Sequence, residues 1–301
     1  MDMHPDQLDV SIDVVRRLVD EQFPAWREMP IRPVASDGTV NALFRIGEHL
    51  VARFPLQGDD IEATREWLER EASAARELLG RASFPTPKPV AVGQPGAGYP
   101  LPWSVQTWLP GTVATRADPG HSVAFAHDLA AFIRSVRVMD TRGRTFSGEG
   151  RGGDLRSHDS SVAAWLARSE GLIEVDRLRL IWAELRDLPR NGTPDRMTHG
   201  DLIPGNVLVT GARLAGVIDV GGLGPADPAL DLVAAWHLLE DGPRQTLRAD
   251  LGCDDAEWMR GKAWALVQAV GLLPYYVRSN PTMSRLGHRT LRRIMRDSSH
   301  V

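Results

Sequence analysis

Cysteine and lysine are almost absent from this chain of 301 residues. Its single cysteine, Cys253, excludes an intrachain disulfide and a zinc site built from several thiolates, and it fits a reducing compartment. Lys88 and Lys262 are the only lysines, and all other basic side chains are arginines. We therefore expect arginine to take roles that lysine has in other proteins.

Long apolar runs and a strong charge of one sign are missing as well. No stretch approaches the roughly 18 apolar residues that cross a bilayer, and residues 1–20 lack the basic and apolar regions of a secretory signal. The net charge of −4 does not favour binding to nucleic acid or to anionic lipid. With 43% hydrophobic and 25% charged residues, the composition is that of a folded protein. We expect a cytoplasmic enzyme or binding protein without nucleic-acid or membrane partners.

The first third of the chain has the pattern of a small antiparallel sheet with helices against it. Strands are predicted at 40–46, 49–54, 89–92 and 103–108. Amphipathic helices are predicted over 7–26 and 61–79. The sequence Leu109-Pro110-Gly111 then breaks the pattern, so we predict one lobe over residues 1–108 and a second over 109–301.

Beyond residue 109 the apolar residues recur mostly at helical spacing. Helices are predicted over 122–138, 159–168, 176–188, 228–239, 255–277 and 281–295. The glycine- and arginine-rich segment 142–157 is predicted to be a loop. The fold class is therefore α+β, with a small antiparallel-sheet N-terminal lobe and a mainly helical C-terminal lobe.

Two short apolar strands interrupt these helices near residue 210. Residues 207–209 and 214–218 are joined by a short polar turn, which predicts an antiparallel hairpin. Because the start of the first strand then lies beside the end of the second, Asn206 and Asp219 meet at the open end. An amide oxygen and a carboxylate at this place suit Mg²⁺, which prefers a few oxygen ligands together with water and phosphate.

A second carboxylate precedes the hairpin. Asp201 lies five residues before Asn206, on a loop that contains glycine and proline. A carboxylate beside a metal site but not part of it is well placed to accept the proton of an attacking hydroxyl. With Asp219, these residues have the order of the catalytic Asp, the Asn five residues on and the metal-binding Asp of kinases.

These motifs carry a specific resemblance. His199-Gly200-Asp201 with Asn206, followed by Ile218-Asp219-Val220-Gly221, is similar to the phosphotransferase family that includes the aminoglycoside and macrolide phosphotransferases, relatives of the protein kinases. Further motifs agree in order. Leu50-Val51-Ala52-Arg53 resembles the kinase Val-Ala-Ile-Lys strand. Trp108-Leu109-Pro110-Gly111 resembles the kinase hinge, and residues 224–232 resemble the family's segment after the metal-binding Asp. The resemblance implies a bilobal protein-kinase-like fold with a nucleotide in the cleft between the lobes.

The resemblance also implies roles for the matching residues. Arg53, in the place of the kinase lysine, would position the phosphates together with Glu71 on the following helix. The carbonyl of Thr107 and the amide of Leu109 would meet the edge of adenine or guanine, and the turn at 36–41 would cover the phosphates.

The implied reaction transfers the γ-phosphoryl group of ATP or GTP to a hydroxyl of a small molecule. Asp201 would act as the base, and Asn206 and Asp219 would hold Mg²⁺. The acceptor would be an antibiotic of the aminoglycoside or macrolide type, while sugars, amino alcohols and other metabolites are equally compatible with the residues.

Two other functions stay open. Arg53 and the lack of a full Gly-x-Gly-x-x-Gly run near Gly38 are compatible with a pseudokinase, a nucleotide-binding scaffold without catalysis. His199, Asp201 and Asp219 have the residue types of a metal-dependent hydrolase, but no His-x-His or His-Glu-x-x-His motif supplies further ligands.

Several polar residues near the motifs are predicted to be structural. We interpret His199 as a hydrogen-bonded structural histidine and Asp231 as a loop anchor. Asp227, which precedes Pro228, has the pattern of a helix N-cap. Arg151 lies in the glycine-rich loop, a context too weak to assign it a role in the site.

Overall fold

A computed structural model describes residues 7–35 and 40–297 of the chain. The chain divides into two compact units, Met1–Leu79 with Pro85–Pro110, and Gly80–Phe84 with Gly111–Val301. Most of the turn predicted to cover phosphates, residues 36–39, lies outside the described residues. In the part of the chain that is described, no helix is long and apolar enough to cross a bilayer.

The first unit is built on an antiparallel sheet of five strands. The strands are β1 (Ile31–Val34), β2 (Asn41–Ile46), β3 (Leu50–Pro55), β4 (Pro89–Gly93) and β5 (Trp103–Thr107). Their order in the sheet is β1-β2-β3-β5-β4. The helices are α1 (Ile12–Gln22) and α2 (Ile61–Leu78). The central strand β3 carries Arg53, which lies between Leu43 of β2 and Ser104 of β5.

The core of the first unit lies between α1 and the sheet. Val15, Leu18 and Val19 recur at helical spacing and are fully buried against aromatic residues of the strands. Two of those rings, Phe54 and Trp103, stack with their centroids 4.7 Å apart. The apolar periodicity of residues 7–26 therefore predicts the buried positions Val15, Leu18 and Val19, although Ile12 is 43% exposed and the helix is shorter than predicted.

Strand β1 is missing from the sequence prediction because Pro30 and Pro33 have the pattern of a break. Pro33 nevertheless lies inside β1, opposite Phe44. This is compatible with a sheet because β1 is an edge strand, where a residue without an N–H group need not break a ladder.

The second unit is mainly helical. Its helices are α3 (Val123–Arg137), α4 (Asp159–Arg168), α5 (Val175–Leu185), α6 (Val233–Leu238), α7 (Asp241–Leu251), α8 (Asp255–Tyr275) and α9 (Pro281–Asp297). Its short strands are β6 (Thr112–Val113), β7 (Arg196–Thr198), β8 (Val207–Thr210), β9 (Arg213–Val217) and β10 (Gly224–Ala226). Strands β6, β8 and β9 form one antiparallel sheet, and β7 pairs with β10.

Two helical segments of this unit differ from the prediction. The single helix predicted over 228–239 is a 3₁₀ turn, Pro228–Leu232, followed by α6. Helix α7 is not predicted because Gly242 and Pro243 have the pattern of a turn. Both lie in its first turn, where proline is tolerated since the N–H groups there have no partner within the helix.

Helix α8 is the core helix of the second unit, and α9 packs closely against it. A Cβ atom at Gly287 of α9 would lie 2.9 Å from both the carbonyl oxygen of Ala269 and the backbone nitrogen of Leu273. Only glycine permits this approach of the two helix backbones. The contact fixes which residues of α9 face α8.

Candidate active site

The predicted hairpin is present and is formed by β8 and β9. Val207 pairs with Val217, and the N–H of Ile218 donates to the carbonyl of Asn206 at 2.9 Å. Asp219 is therefore the first residue beyond the last paired position. Its backbone is left-handed, with φ 58° and ψ 58°, a conformation that non-glycine residues rarely adopt but that Asp and Asn tolerate best.

Three donors hold the carboxylate of Asp201, which is 32% exposed. Its Oδ1 accepts from Nη2 of Arg151 at 2.9 Å and from Nε2 of Gln268 at 2.5 Å. Its Oδ2 accepts from Nδ2 of Asn206 at 2.8 Å. A carboxylate has about four acceptor positions, so Oδ2 keeps the capacity to accept one more donor.

The loop that carries Asp201 is fixed by a buried carboxylate. Asp231 accepts the backbone N–H of His199 at 2.8 Å and that of Gly200 at 2.9 Å, which is the anchoring role predicted for it. Burial raises the pKa of Asp231 above its usual range, while these N–H donors act in the opposite direction. Gly200 has φ +84°, and a Cβ atom there would lie 3.1 Å from the Gly222 carbonyl oxygen.

His199 is a structural residue, as predicted. It is fully buried, and its Nδ1 accepts the backbone N–H of Asp201 at 3.3 Å. Its other nitrogen, Nε2, therefore carries the proton and donates to the carbonyl of Ile218 at 3.2 Å. Since both ring nitrogens are occupied, His199 has no nitrogen for a metal. Within residues 7–35 and 40–297, no group of three or more His, Cys, Asp or Glu side chains is arranged to hold a metal ion.

The side chains near the hairpin end fit Mg²⁺. Nδ2 of Asn206 donates both to the backbone carbonyl and to Oδ2 of Asp201, so the amide oxygen of Asn206 points away from Asp201. Asp219, which is half-buried, supplies a carboxylate two positions beyond the end of β9. An amide oxygen and a carboxylate are hard ligands that suit Mg²⁺ when phosphate and water complete its coordination.

In the first unit, Arg53 and Glu71 form the pair that the resemblance implies. Nη1 of Arg53 lies 2.8 Å from Oε2 of Glu71, and Nη2 lies 3.2 Å from Oε1. The two side chains are only 10% and 9% exposed. A bidentate pair of this kind holds the guanidinium in one orientation on the central strand.

Thr107 is the last residue of β5, and Leu109 follows it two positions further along the chain. The N–H of Thr107 donates to the carbonyl of Lys88 at 2.9 Å, and the N–H of Trp108 donates to that of His49 at 2.7 Å. Across the described residues, the next N–H along the chain, that of Leu109, has no hydrogen-bond partner. It is therefore open to an external acceptor.

Sequence reasoning leaves out two residues of the Asp201 cluster. Arg151 comes from the glycine-rich loop and Gln268 from the middle of α8, 50 and 67 positions away from Asp201. The sequence did contain one indication for Gln268, which is the only polar side chain in the apolar run 263–273.

Asp227 caps the 3₁₀ turn Pro228–Leu232 as predicted, by accepting the N–H of Ala229.

Comparison with known proteins identifies the family to which this chain belongs. The model of the phosphotransferase enzyme family matches residues 30–264, which is well over half of the chain. The chain therefore belongs to the phosphotransferase enzyme family. The resemblance based on the His-Gly-Asp and Ile-Asp-x-Gly motifs is confirmed.

Two curated relatives are aminoglycoside 3'-phosphotransferases. The one from Streptomyces fradiae is 32% identical over 177 residues, which are 54% of this chain and 62% of the relative. The one from Escherichia coli is 26% identical over 148 residues, 46% of this chain and 53% of the relative. The matches thus span less than two thirds of either relative.

Solved structures resemble most of the chain in fold. The GDP complex of aminoglycoside 2'-phosphotransferase-IIIa aligns with a TM-score of 0.68 at 18% identity, over 94% of this chain and 98% of that one. Macrolide 2'-phosphotransferase type I aligns with a TM-score of 0.63 at 17% identity, over 94% of this chain and 98% of that one. The predicted fold class, α+β and protein-kinase-like, is confirmed.

Proposed function

We propose that this protein is a small-molecule kinase that transfers the γ-phosphoryl group of ATP or GTP to a hydroxyl of an aminoglycoside- or macrolide-type antibiotic or a related metabolite. The geometry of the Asp201 carboxylate carries this proposal, because three donors orient it and one acceptor position remains open on Oδ2. Family membership supports it. So do solved relatives in complex with GDP and with kanamycin or gentamicin. We place the reaction in the cytoplasm, where nucleoside triphosphates are present.

In the proposed mechanism, Oδ2 of Asp201 accepts the proton of the acceptor hydroxyl. The hydroxyl oxygen forms a bond to the γ-phosphorus, the bond from that phosphorus to the bridging oxygen breaks, and the nucleoside diphosphate leaves. Asn206 and Asp219 would hold Mg²⁺, which when bound neutralises charge on the phosphate oxygens.

We also propose nucleotide contacts for residues of the first unit. We propose that Arg53, oriented by Glu71, donates to phosphate oxygens, which a guanidinium matches bidentately. The carbonyl of Thr107 and the open N–H of Leu109 would meet the edge of adenine or guanine.

Neither alternative function gains support from the site. A metal-dependent hydrolase would need His199 as a ligand, and both of its ring nitrogens are engaged by the backbone. A scaffold without catalysis does not need an oriented carboxylate, yet Arg151, Gln268 and Asn206 all donate to Asp201.

The direct test is a mass assay with a panel of acceptors. The protein is incubated with Mg²⁺, ATP or GTP, and kanamycin, gentamicin, streptomycin, a macrolide or a simple sugar alcohol. We expect at least one acceptor to gain the mass of one phosphoryl group while the nucleotide becomes a diphosphate. A protein that binds nucleotide but phosphorylates no acceptor would support the scaffold instead, and fragmentation of an acceptor would support a hydrolase.

Replacing Asp219 by asparagine is expected to weaken binding of the magnesium nucleotide at least about tenfold. The variant removes a negatively charged metal ligand, whereas asparagine tolerates the left-handed backbone at this position. Isothermal titration calorimetry with ATP in the presence and absence of Mg²⁺ measures the effect. Asp176→Asn, at a side chain that is 95% exposed, is the matched control. Equal affinities of Asp219→Asn and the parent for Mg²⁺-ATP would place the metal elsewhere.

Replacing Arg53 by methionine is expected to weaken nucleotide binding or turnover at least about tenfold, since a charge-assisted hydrogen bond is worth roughly 1.5–3 kcal/mol. Arg53→Lys should retain part of the function, because it keeps the charge and loses the bidentate geometry. Affinity for ATP and kcat are compared with those of Arg32→Met, which replaces an exposed arginine of the same sheet. If both Arg53 variants match the parent, another residue positions the phosphates.

A further inference from the structure

A chain of buried polar side chains leads from α9 to Asp201. Oγ1 of Thr290 lies 2.8 Å from Nδ1 of His237, and Nε2 of His237 lies 3.2 Å from Oε1 of Gln268. Gln268 in turn donates through Nε2 to Oδ1 of Asp201 at 2.5 Å. Thr290 and His237 are fully buried, and Gln268 is nearly so. The proposed reaction gives no direct role to these three residues.

The direction of every hydrogen bond in this chain follows from Asp201. An ionised carboxylate only accepts, so the amide nitrogen of Gln268 must face Asp201 and its oxygen must face His237. The oxygen only accepts, so His237 must carry its proton on Nε2. Its Nδ1 is then an acceptor, and the hydroxyl of Thr290 must donate to it.

The complete burial of His237 favours its neutral form, and a hydrogen bond from α9 holds its backbone in place. Burial lowers the pKa of His237 to about 3, so the imidazole is neutral at neutral pH and has one N–H. Its backbone carbonyl accepts from Nη1 of Arg293 at 2.9 Å, which joins α6 to α9. Thr290 lies three residues, about one helical turn, beyond Gly287, where α9 approaches α8 closely, so the two residues share one face of α9.

We propose that Gln268 is a positioning residue for Asp201, held by His237 and Thr290 so that the open acceptor position of the carboxylate lies on Oδ2. This inference rests on the proposed function, in which Asp201 accepts the hydroxyl proton. Gln268 and Arg151 together occupy Oδ1. Without Gln268 the carboxylate can rotate or offer Oδ1 to the acceptor, and the reacting hydroxyl loses its fixed orientation.

The test compares kcat and KM of the full-length protein and its variants, with ATP and the acceptor that the mass assay identifies. We expect Gln268→Leu to lower kcat at least about tenfold, because a hydrogen bond to a charged group is lost. KM for ATP and for the acceptor should stay within about twofold, since a positioning residue contacts neither. Gln245→Leu makes the same change at an exposed position of α7 and should leave both constants unchanged.

Variants of His237 separate positioning from packing. His237→Leu removes the donor to Gln268 and should lower kcat, whereas His237→Gln offers an amide N–H in place of Nε2 and should restore much of it. The double variant Gln268→Leu with His237→Leu should be no slower than Gln268→Leu alone, because both changes break the same chain. The midpoint of thermal unfolding of each variant is compared with that of the parent and shows whether the fold is kept.

Nitrogen NMR of the parent, labelled with ¹⁵N at histidine, tests the chain without any acceptor. The signal of His237, identified by its loss in His237→Gln, should show a protonated Nε2 and an unprotonated Nδ1. The opposite tautomer of His237 would overturn the inference. A Gln268→Leu variant that keeps the kcat of the parent, or that differs from the parent only in KM, would overturn it as well. A parent that phosphorylates no acceptor overturns the proposed function instead, so the two failures are distinct.

Discussion

Replacing Asp201 by alanine is expected to lower kcat at least about a hundredfold while ATP still binds. A positioned general base accelerates a reaction by a factor on the order of 10²–10⁴. The variant removes the carboxylate that accepts the hydroxyl proton in the proposed mechanism. The nucleotide contact proposed for Arg53, which Glu71 orients, belongs to the first unit and is unchanged. The measurement is kcat with the phosphorylated acceptor, together with ATP affinity by calorimetry.

Asp187→Ala is the control for this comparison, because Asp187 is a half-exposed carboxylate that pairs with Arg156. It should keep the kcat of the parent. An Asp201→Ala variant with near-normal kcat and normal affinity would show that another group accepts the proton, and the proposed mechanism would then be wrong.

Replacing Arg260 by methionine is expected to destabilise the protein by about 3–5 kcal/mol. Arg260 and Asp227 are almost completely buried, and they lie 3.0 Å apart at Nε and Oδ2. Trp264 also donates to this carboxylate, at 3.2 Å. Methionine fills part of the space but leaves a carboxylate without its charged partner. The midpoint of thermal unfolding should fall by about 6–20 °C, measured by circular dichroism.

Two further variants show whether this loss comes from the buried charge. Arg156→Met breaks the exposed pair with Asp187 and should cost less than about 1 kcal/mol. Adding Asp227→Asn to Arg260→Met removes the unpartnered charge and should recover part of the stability. If the double variant is no more stable than Arg260→Met, loss of packing rather than of charge explains the effect.

The parts of the site that were predicted from the sequence depend on short separations along the chain. The hairpin of β8 and β9 needs only two apolar strands and a turn, and it places Asn206 next to Ile218. Helix α2, which carries Glu71, is predicted over 61–79 and lies over Ile61–Leu78, directly after the N-cap residue Asp60. The roles of these residues in catalysis remain proposals.

The parts that were not predicted depend on contacts between distant segments. Gln268 reaches Asp201 because α8 packs beside the loop, and periodicity shows that α8 is buried without showing what faces each residue. Arg151 reaches it from a loop that has no regular pattern. Strand β1 is missed for a different reason, since whether Pro33 breaks a strand depends on its place at the edge of the sheet.

The scarcity of lysine has a consequence for chemical labelling. Reagents that acylate or sulfonylate the amine beside a nucleotide need an amine nitrogen as nucleophile, and the guanidinium group of Arg53 does not supply one. Lys262 is buried and bound to Asp297 at 2.9 Å, which leaves Lys88 as the exposed lysine side chain. At the phosphate position that we propose for Arg53, an amine-directed nucleotide analogue would therefore meet a guanidinium in place of an amine. If the proposed function holds, we expect that chemistry to recover this protein poorly when kinases are captured from a mixture.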